Sequence, residues 1–300
     1  MTFEVICENC GNIIHQGMEL RYVNDVIKSN SGKCNKCNKE LLKKDFKIET
    51  LNKKNITAFG FEFIKDKQNK LPFVRVMSEI AGNTAMLIAG EYLSTVKNGK
   101  GLMLGGISGL IPTNVVVIGA GTVGEFACRT SLGLGASVIV FDDSVTKLRR
   151  LQNNINHRIS TSTLQPKALT KALKRADVVI AALQIGNGRV PCVVSEDMVQ
   201  EMKKGSVVID VSIDQGGCFE TSEVTSHKSP TFIKHDVIHY CVPNIASRVS
   251  RTASMAISNI LTPILFFLGG MLVYYLIMPL AIKFFLSFES TGITTSLPIQ

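Results

Sequence analysis

Short apolar runs alternate with segments of helical period through the middle of the chain. Residues 115–118, 138–141, 178–181 and 207–211 are almost wholly aliphatic or aromatic, as strands buried on both faces must be. Between them, residues 145–153, 167–175 and 196–203 place apolar side chains at helical spacing, and 231–233 and 237–242 are further strand candidates. Strand and helix in alternation predict a doubly wound α/β domain with a parallel sheet, spanning 113–263 with its return segment. Upstream, the apolar residues Ile80, Leu87, Ile88 and Leu93 of 77–96 fit a helix, and 56–64, where Phe59, Phe61 and Phe63 alternate, reads as a β-rich run.

The two ends differ from this middle. Residues 1–50 are short and polar, too small to bury a sufficient apolar core unaided, and 1–21 lack the basic flank and long apolar run of a signal peptide. Between Arg251 and Lys283 there is no charged residue, and 264–282 form a 19-residue apolar stretch. That length predicts a transmembrane helix over 264–286, the alternative being a helix buried in a soluble domain.

The formal charge of +9 is concentrated in 28–70 and 147–175, without aromatics interleaved among the basic residues, so nucleic acid is not an expected partner. Cysteine changes the picture more. Cys7-x-x-Cys10 and Cys34-x-x-Cys37 are two knuckles able to close a tetrathiolate Zn²⁺ site, which makes 1–50 zinc-ribbon-like; a disulfide pair is the alternative, disfavoured in a reducing compartment. Cys128, Cys192, Cys218 and Cys241 are scattered through apolar segments as small buried hydrophobes.

The strand at 115–118 runs into Gly119-x-Gly121-x-x-Gly124, and a second strand ends on Asp142 and Asp143. Gly119 allows a tight turn, Gly121 lets backbone approach a pyrophosphate, and Gly124 lets helix pack on strand, while the helix start near Thr122 presents free amides to an anion. An acid about 20 residues beyond the glycines suits the ribose hydroxyls of NAD. Asp142 would repel a 2′-phosphate, although Lys147, Arg149 and Arg150 lie near enough in sequence to leave NADP open.

With the segments Met77-Ser-Glu-Ile-Ala-Gly82, Leu104-Gly-Gly-Ile-Ser-Gly109, the sixteen residues 205–220 and His239-Tyr-Cys-Val-Pro-Asn244 in this order, the chain resembles alanine dehydrogenase, of the alanine dehydrogenase and pyridine nucleotide transhydrogenase superfamily, over about 56–263. The resemblance implies a Rossmann domain with NAD across the glycine loop. Asp142 and Lys147 fall at the adenosine ribose, Ser78 toward the pyrophosphate, and Val242 and Asn244 near the nicotinamide. Asp214 matches the family's active-site aspartate, with a role in orienting the nicotinamide ribose or assisting proton transfer; the alternative is a helix or turn cap. The implied reaction converts L-alanine, NAD and water to pyruvate, ammonia and NADH, and the family's habit leaves a homo-oligomer open.

Two departures qualify that expectation. The family's substrate-binding half should precede 56, leaving 56–112 as its remnant, yet His15, Arg21, Lys43 and Lys44 sit in none of its motifs. The tail from 266 resembles a transmembrane segment of the twin-arginine translocase's multispanning subunit, so the chain reads as a chimera of three pieces. An alternative function is therefore an NAD-binding module without catalysis, tethered to a membrane with the nucleotide domain in the cytoplasm, or wholly cytoplasmic if the tail is not inserted.

Overall fold

The computed structural model describes residues 3–7, 10, 12–17, 33–39, 46–47, 60–155, 157–184 and 189–272. The chain forms two units, Met1–Val249 and Ser250–Gln300. In the first, a sheet of seven strands comprises β4 (Asn114–Ile118), β5 (Ser137–Phe141), β6 (Ser160–Ser162), β7 (Val178–Ala181), β8 (Val207–Asp210), β9 (Thr231–Lys234) and β10 (Val237–Tyr240), in the order β6-β5-β4-β7-β8-β10-β9. Every pairing is parallel except that of β10 with β9. This is the parallel-dominated α/β fold that the alternation predicts, and the order reverses between β4 and β7, where open sheets of this kind take their ligands.

Alternate residues of each strand feed two cores. Val115 and Val117 pack with side chains from α1 (Pro72–Leu93), α2 (Thr122–Gly133) and α3 (Val145–Asn154), whereas Val116 and Ile118 pack with α4 (Pro166–Leu173) and α5 (Glu196–Gln200). The period of two along a doubly covered strand makes its apolar runs continuous. At the amino edge, Asp177 accepts hydrogen bonds from the Asn114 amide at 2.9 Å, Lys203 Nζ at 2.9 Å and Lys100 Nζ at 3.0 Å. Burial opposes the ionised form, but these donors hold its carboxyl below the usual range, and burial also lowers Lys100.

Helix α1 starts five residues before the expected 77, because Pro72 occupies a first-turn position where its missing amide costs nothing. It stops at Leu93; Val96 belongs to a 3-10 turn and is exposed. The expected β-rich run 56–64 is corrected as well: 56–59 lie outside the described residues, and Phe61–Phe63 form a 3-10 turn, with the Phe61 ring packed 5.3 Å from that of Phe73. At the amino terminus, β1 (Phe3–Cys7), β2 (Ile13–Gly17) and β3 (Phe46–Lys47) form an antiparallel sheet in the order β2-β1-β3. His15 lies in β2, while Arg21, Lys43 and Lys44 are outside the described residues.

The second unit contributes α6 (Ser250–Leu272), with Pro263 inside it. Among the described residues no helix is long and apolar enough to cross a membrane, so the expected span is not found there. Of the expected 264–286 only 264–272 fall within α6, whose first half carries the polar residues Ser250, Arg251, Thr252, Ser254, Ser258 and Asn259; 273–286 lie outside the described residues.

Candidate functional site

Strand β4 delivers the glycine loop to the carboxyl edge of the sheet. Gly119 has φ +114, and a Cβ there would lie 2.4 Å from the Ala182 carbonyl oxygen, at the exit of β7. Gly124 is constrained by packing, since its Cβ would come within 1.9 Å of the Gly119 carbonyl oxygen. Gly121 is different. Its φ of −76 suits any residue, and a Cβ would meet nothing within 4 Å. The protein itself does not require glycine at 121, yet the position caps α2, whose first-turn amides have no capping side chain. A smooth backbone beneath a ring of unpaired amides fits a phosphate pressed against it.

Asp142, at the exit of β5, closes the loop from one side. Its Oδ2 accepts the Ala120 amide at 2.8 Å and its Oδ1 the Ser144 amide at 2.8 Å. The carboxylate is nearly buried, and a second lone pair on each oxygen remains for a hydroxyl donor. Lys147 Nζ is 4.0 Å from Oδ2, and Arg150 donates to the Ala120 carbonyl at 2.9 Å. Arg150 is thus engaged with the loop itself, a role that sequence spacing does not reveal.

Ser78 sits on α1 one turn before Gly82, where the helix meets α2 almost backbone to backbone: a Cβ at Gly82 would lie 2.4 Å from the Val123 carbonyl oxygen. Its hydroxyl donates to the Val74 carbonyl at 2.8 Å, which leaves the oxygen able to accept. Gly82 is thus pressed against the first turns of α2.

Asp214 is exposed on a 3-10 turn, Val211–Gln215, that follows β8. The turn is tied to the exit of β7 by the Ser212 hydroxyl, which donates to the Leu183 carbonyl at 2.9 Å, and closes on Gly216 and Gly217, both at positive φ. Arg189 lies over Gly216, where its Cγ is 2.7 Å from the place of a Cβ. Beneath the turn, Asp210 is buried; its Oδ2 accepts from the Ser222 hydroxyl at 2.6 Å and the Cys218 amide at 3.1 Å, and burial pushes its carboxyl up. Neither Arg189 nor Asp210 was legible as part of this edge: one precedes an irregular segment, the other reads as a polar interruption inside an apolar strand.

On the neighbouring strand β10, Val242 and Asn244 follow at the same edge. The Val242 side chain is in the core, so only its main chain is available to a ligand; Asn244 is exposed at φ +53. His239, within β10, faces the opposite way into the structure. It is hydrogen-bonded to Thr221 at 2.9 Å and to the Val237 carbonyl at 3.0 Å, it stacks on Phe232, and burial holds it down at about 4.

Residues 85–271 match the family described as the C-terminal domain of alanine dehydrogenase/PNT, which is more than half of the chain. The chain belongs to this family. It is 40% identical over 207 residues to the alanine dehydrogenase of Mycolicibacterium smegmatis, covering 69% of this chain and 56% of that protein. With the alanine dehydrogenase of Bacillus subtilis the identity is 39% over 216 residues, 72% of this chain and 57% of that one. A solved L-alanine dehydrogenase superposes with a TM-score of 0.67 at 36% identity, covering 70% and 58% of the two chains. The transhydrogenase from Sinorhizobium meliloti, at 22% identity, shares the fold with a TM-score of 0.61 over 72% and 61%. The chain therefore spans a little under three-fifths of the curated relatives it matches. The family match runs through 271, past residue 266 where the tail begins to resemble a translocase, so nothing in the match supports a separate piece starting there.

The four amino-terminal cysteines are also brought together, apart from the residues of the glycine loop. Their sulfurs all lie within 4.8 Å of one another, and none is in a disulfide.

Proposed function

We propose that the glycine loop and the carboxyl edge of the sheet bind NAD(H), and that the chain carries the nucleotide half of an alanine dehydrogenase-type oxidoreductase. The observation that supports this most is Gly121: its φ is ordinary and a Cβ would meet nothing within 4 Å, so the bare backbone there leaves open space for something the loop touches. Unpaired amides at the start of α2 and a carboxylate 23 residues after Gly119 are what a dinucleotide needs at its two negative and hydroxylated parts.

In this reading Gly119, Gly121 and Gly124 shape the loop, Ser78 accompanies the pyrophosphate, and Asp142 accepts the adenosine ribose hydroxyls with Lys147 beside it. Main-chain groups of Val242 and the Asn244 side chain face the nicotinamide end. Asp214 orients the nicotinamide ribose or takes part in proton transfer. Bound NAD would supply the hydride acceptor for an amino acid such as L-alanine. The compartment implied is the cytoplasm, where that cofactor pool is met.

A second reading is binding without efficient turnover. Over two-fifths of each relative falls outside the matched part, and clamping a substrate carboxylate and amine beside the nicotinamide accounts for several kcal/mol of such a barrier. An NADH fluorescence titration run beside an alanine-dependent NADH assay on the same protein separates the two. Saturable NADH binding with turnover far below roughly 1 per second supports binding alone, whereas turnover in the ordinary enzyme range, abolished by Asp214→Ala, supports the full reaction. Absence of saturable binding by a folded chain refutes both.

A further inference from the structure

We propose that Cys7, Cys10, Cys34 and Cys37 form a closed tetrathiolate site for one Zn²⁺, with a structural role in the amino-terminal sheet. Cys7 ends β1 and Cys10 lies in the turn to β2, while Cys34 and Cys37 belong to a second turn. The Sγ atoms of Cys7 and Cys37 are 3.8 Å apart and those of Cys10 and Cys34 are 3.6 Å apart. Four sulfurs held about 2.3 Å from a central zinc form a tetrahedron with edges of about 3.8 Å. The pairs that approach closely join one knuckle to the other, which is the arrangement a shared ion produces.

The local backbone supports the same end. The Cys7 amide donates to the Asn12 carbonyl at 2.8 Å, the Cys34 amide to Lys39 at 2.9 Å, and the Asn38 amide back to Cys34 at 2.9 Å, so each knuckle is a tight loop whose sulfurs turn to one side. Asn38, directly after Cys37, sits at φ 55, a conformation that asparagine tolerates; Gly11 occupies the equivalent sequence position after Cys10.

The buried cluster of this piece, among the described residues, is Cys7 and Cys34, with Cys10, Ile14 and Cys37 packed against it. Among the described residues that cluster is mostly sulfur. A metal bound by four thiolates supplies cohesion to so small a piece. With all four positions taken by protein, no site remains for a water, so the centre is structural and not hydrolytic.

The test is metal analysis of the full chain purified without chelator, followed by replacement of the metal with Co²⁺. One equivalent of zinc and the intense visible bands of tetrahedral cobalt tetrathiolate are expected, both lost in Cys10→Ser and in the double variant Cys34→Ser/Cys37→Ser. Cys192→Ser should retain them; unlike Cys128, Cys218 and Cys241, this thiol is exposed and not the buried hydrophobe expected from its sequence. Because a ribbon variant could fail to fold, the thermal transition of the nucleotide domain is followed in parallel and should persist in the metal-free variants. Well under one equivalent of metal, iron in place of zinc, an octahedral cobalt spectrum, or a Cys–Cys disulfide found by mass spectrometry in the native chain would each overturn the proposal.

Discussion

The Asp142 carboxylate accepts the Ala120 amide at 2.8 Å, so the acid at the end of β5 is bound to the glycine loop at the end of β4. In the proposed reading, loop shape and ribose recognition are thereby one unit. In Asp142→Ala, NADH affinity should fall by about 1–3 kcal/mol, the worth of charge-assisted hydrogen bonds, while NADPH binding changes less. The ratio of the two dissociation constants from parallel titrations checks this; an unchanged ratio would remove Asp142 from the ribose site.

Gly121 and Gly124 are three residues apart and should behave oppositely. Gly124→Ala drives a Cβ against the Gly119 carbonyl and should destabilise the fold by about 3 kcal/mol. Gly121→Ala has open space and an ordinary φ, so stability should hold or rise by up to about 1 kcal/mol, while NADH affinity drops about tenfold or more as the methyl meets the ligand. Denaturant unfolding and NADH titration of both variants give the comparison; equal NADH affinity in Gly121→Ala and wild type would contradict the loop's role.

His239 is buried neutral, with its proton uptake lowered to about 4. The unfolded chain binds that proton near pH 6.5 and the folded chain does not. Stability is therefore fully present above about pH 6.5 and is lost as pH falls toward about 4, by about 3 kcal/mol in all. Unfolding free energies at several pH values should show this slope, and His239→Gln should flatten it over the same window.

Asp177 is held ionised by the Asn114 amide, Lys203 and Lys100 against the effect of burial. Its folded pKa is depressed, so its contribution is present above about pH 4 and disappears below it as the carboxylate protonates. Asp177→Asn should cost about 2 kcal/mol at neutral pH by leaving the half-buried Lys100 without its partner, and should leave NADH affinity unchanged, since the ligand edge is at the other end of the strands. Loss of affinity at unchanged fold would place the network in the site.

How far the chain could be read before its structure was known depended on which force set each element. The valine-rich strands β4, β7 and β8 were legible because burial on both faces leaves no polar position, and the glycine loop because steric demands at 119 and 124 admit little else. Strand β6, Ser-Thr-Ser, carries no apolar signal; it is an edge strand paired only with β5, and the backbone of its neighbour decides it. Phe61–Phe63 alternated like a strand, but the contact of Phe61 with Phe73 favours a tight turn instead. The apolar composition of 264–282 carries the span expectation, and only 264–272 of it, the end of α6, fall among the described residues. Asp214 was found by resemblance; Asp210 beneath it was hidden because a buried carboxylate inside a strand looks like an interruption of the pattern rather than a support for the turn that follows.

The central claim is that the glycine loop of this chain binds a dinucleotide, and an equilibrium titration of the intact, folded chain with NADH tests it most directly. One saturable site is expected, tighter for NADH than for NADPH and weakened by Gly121→Ala without loss of stability. A chain with a normal cooperative unfolding transition that shows no saturable NADH binding, or binds NADPH more tightly, would contradict it.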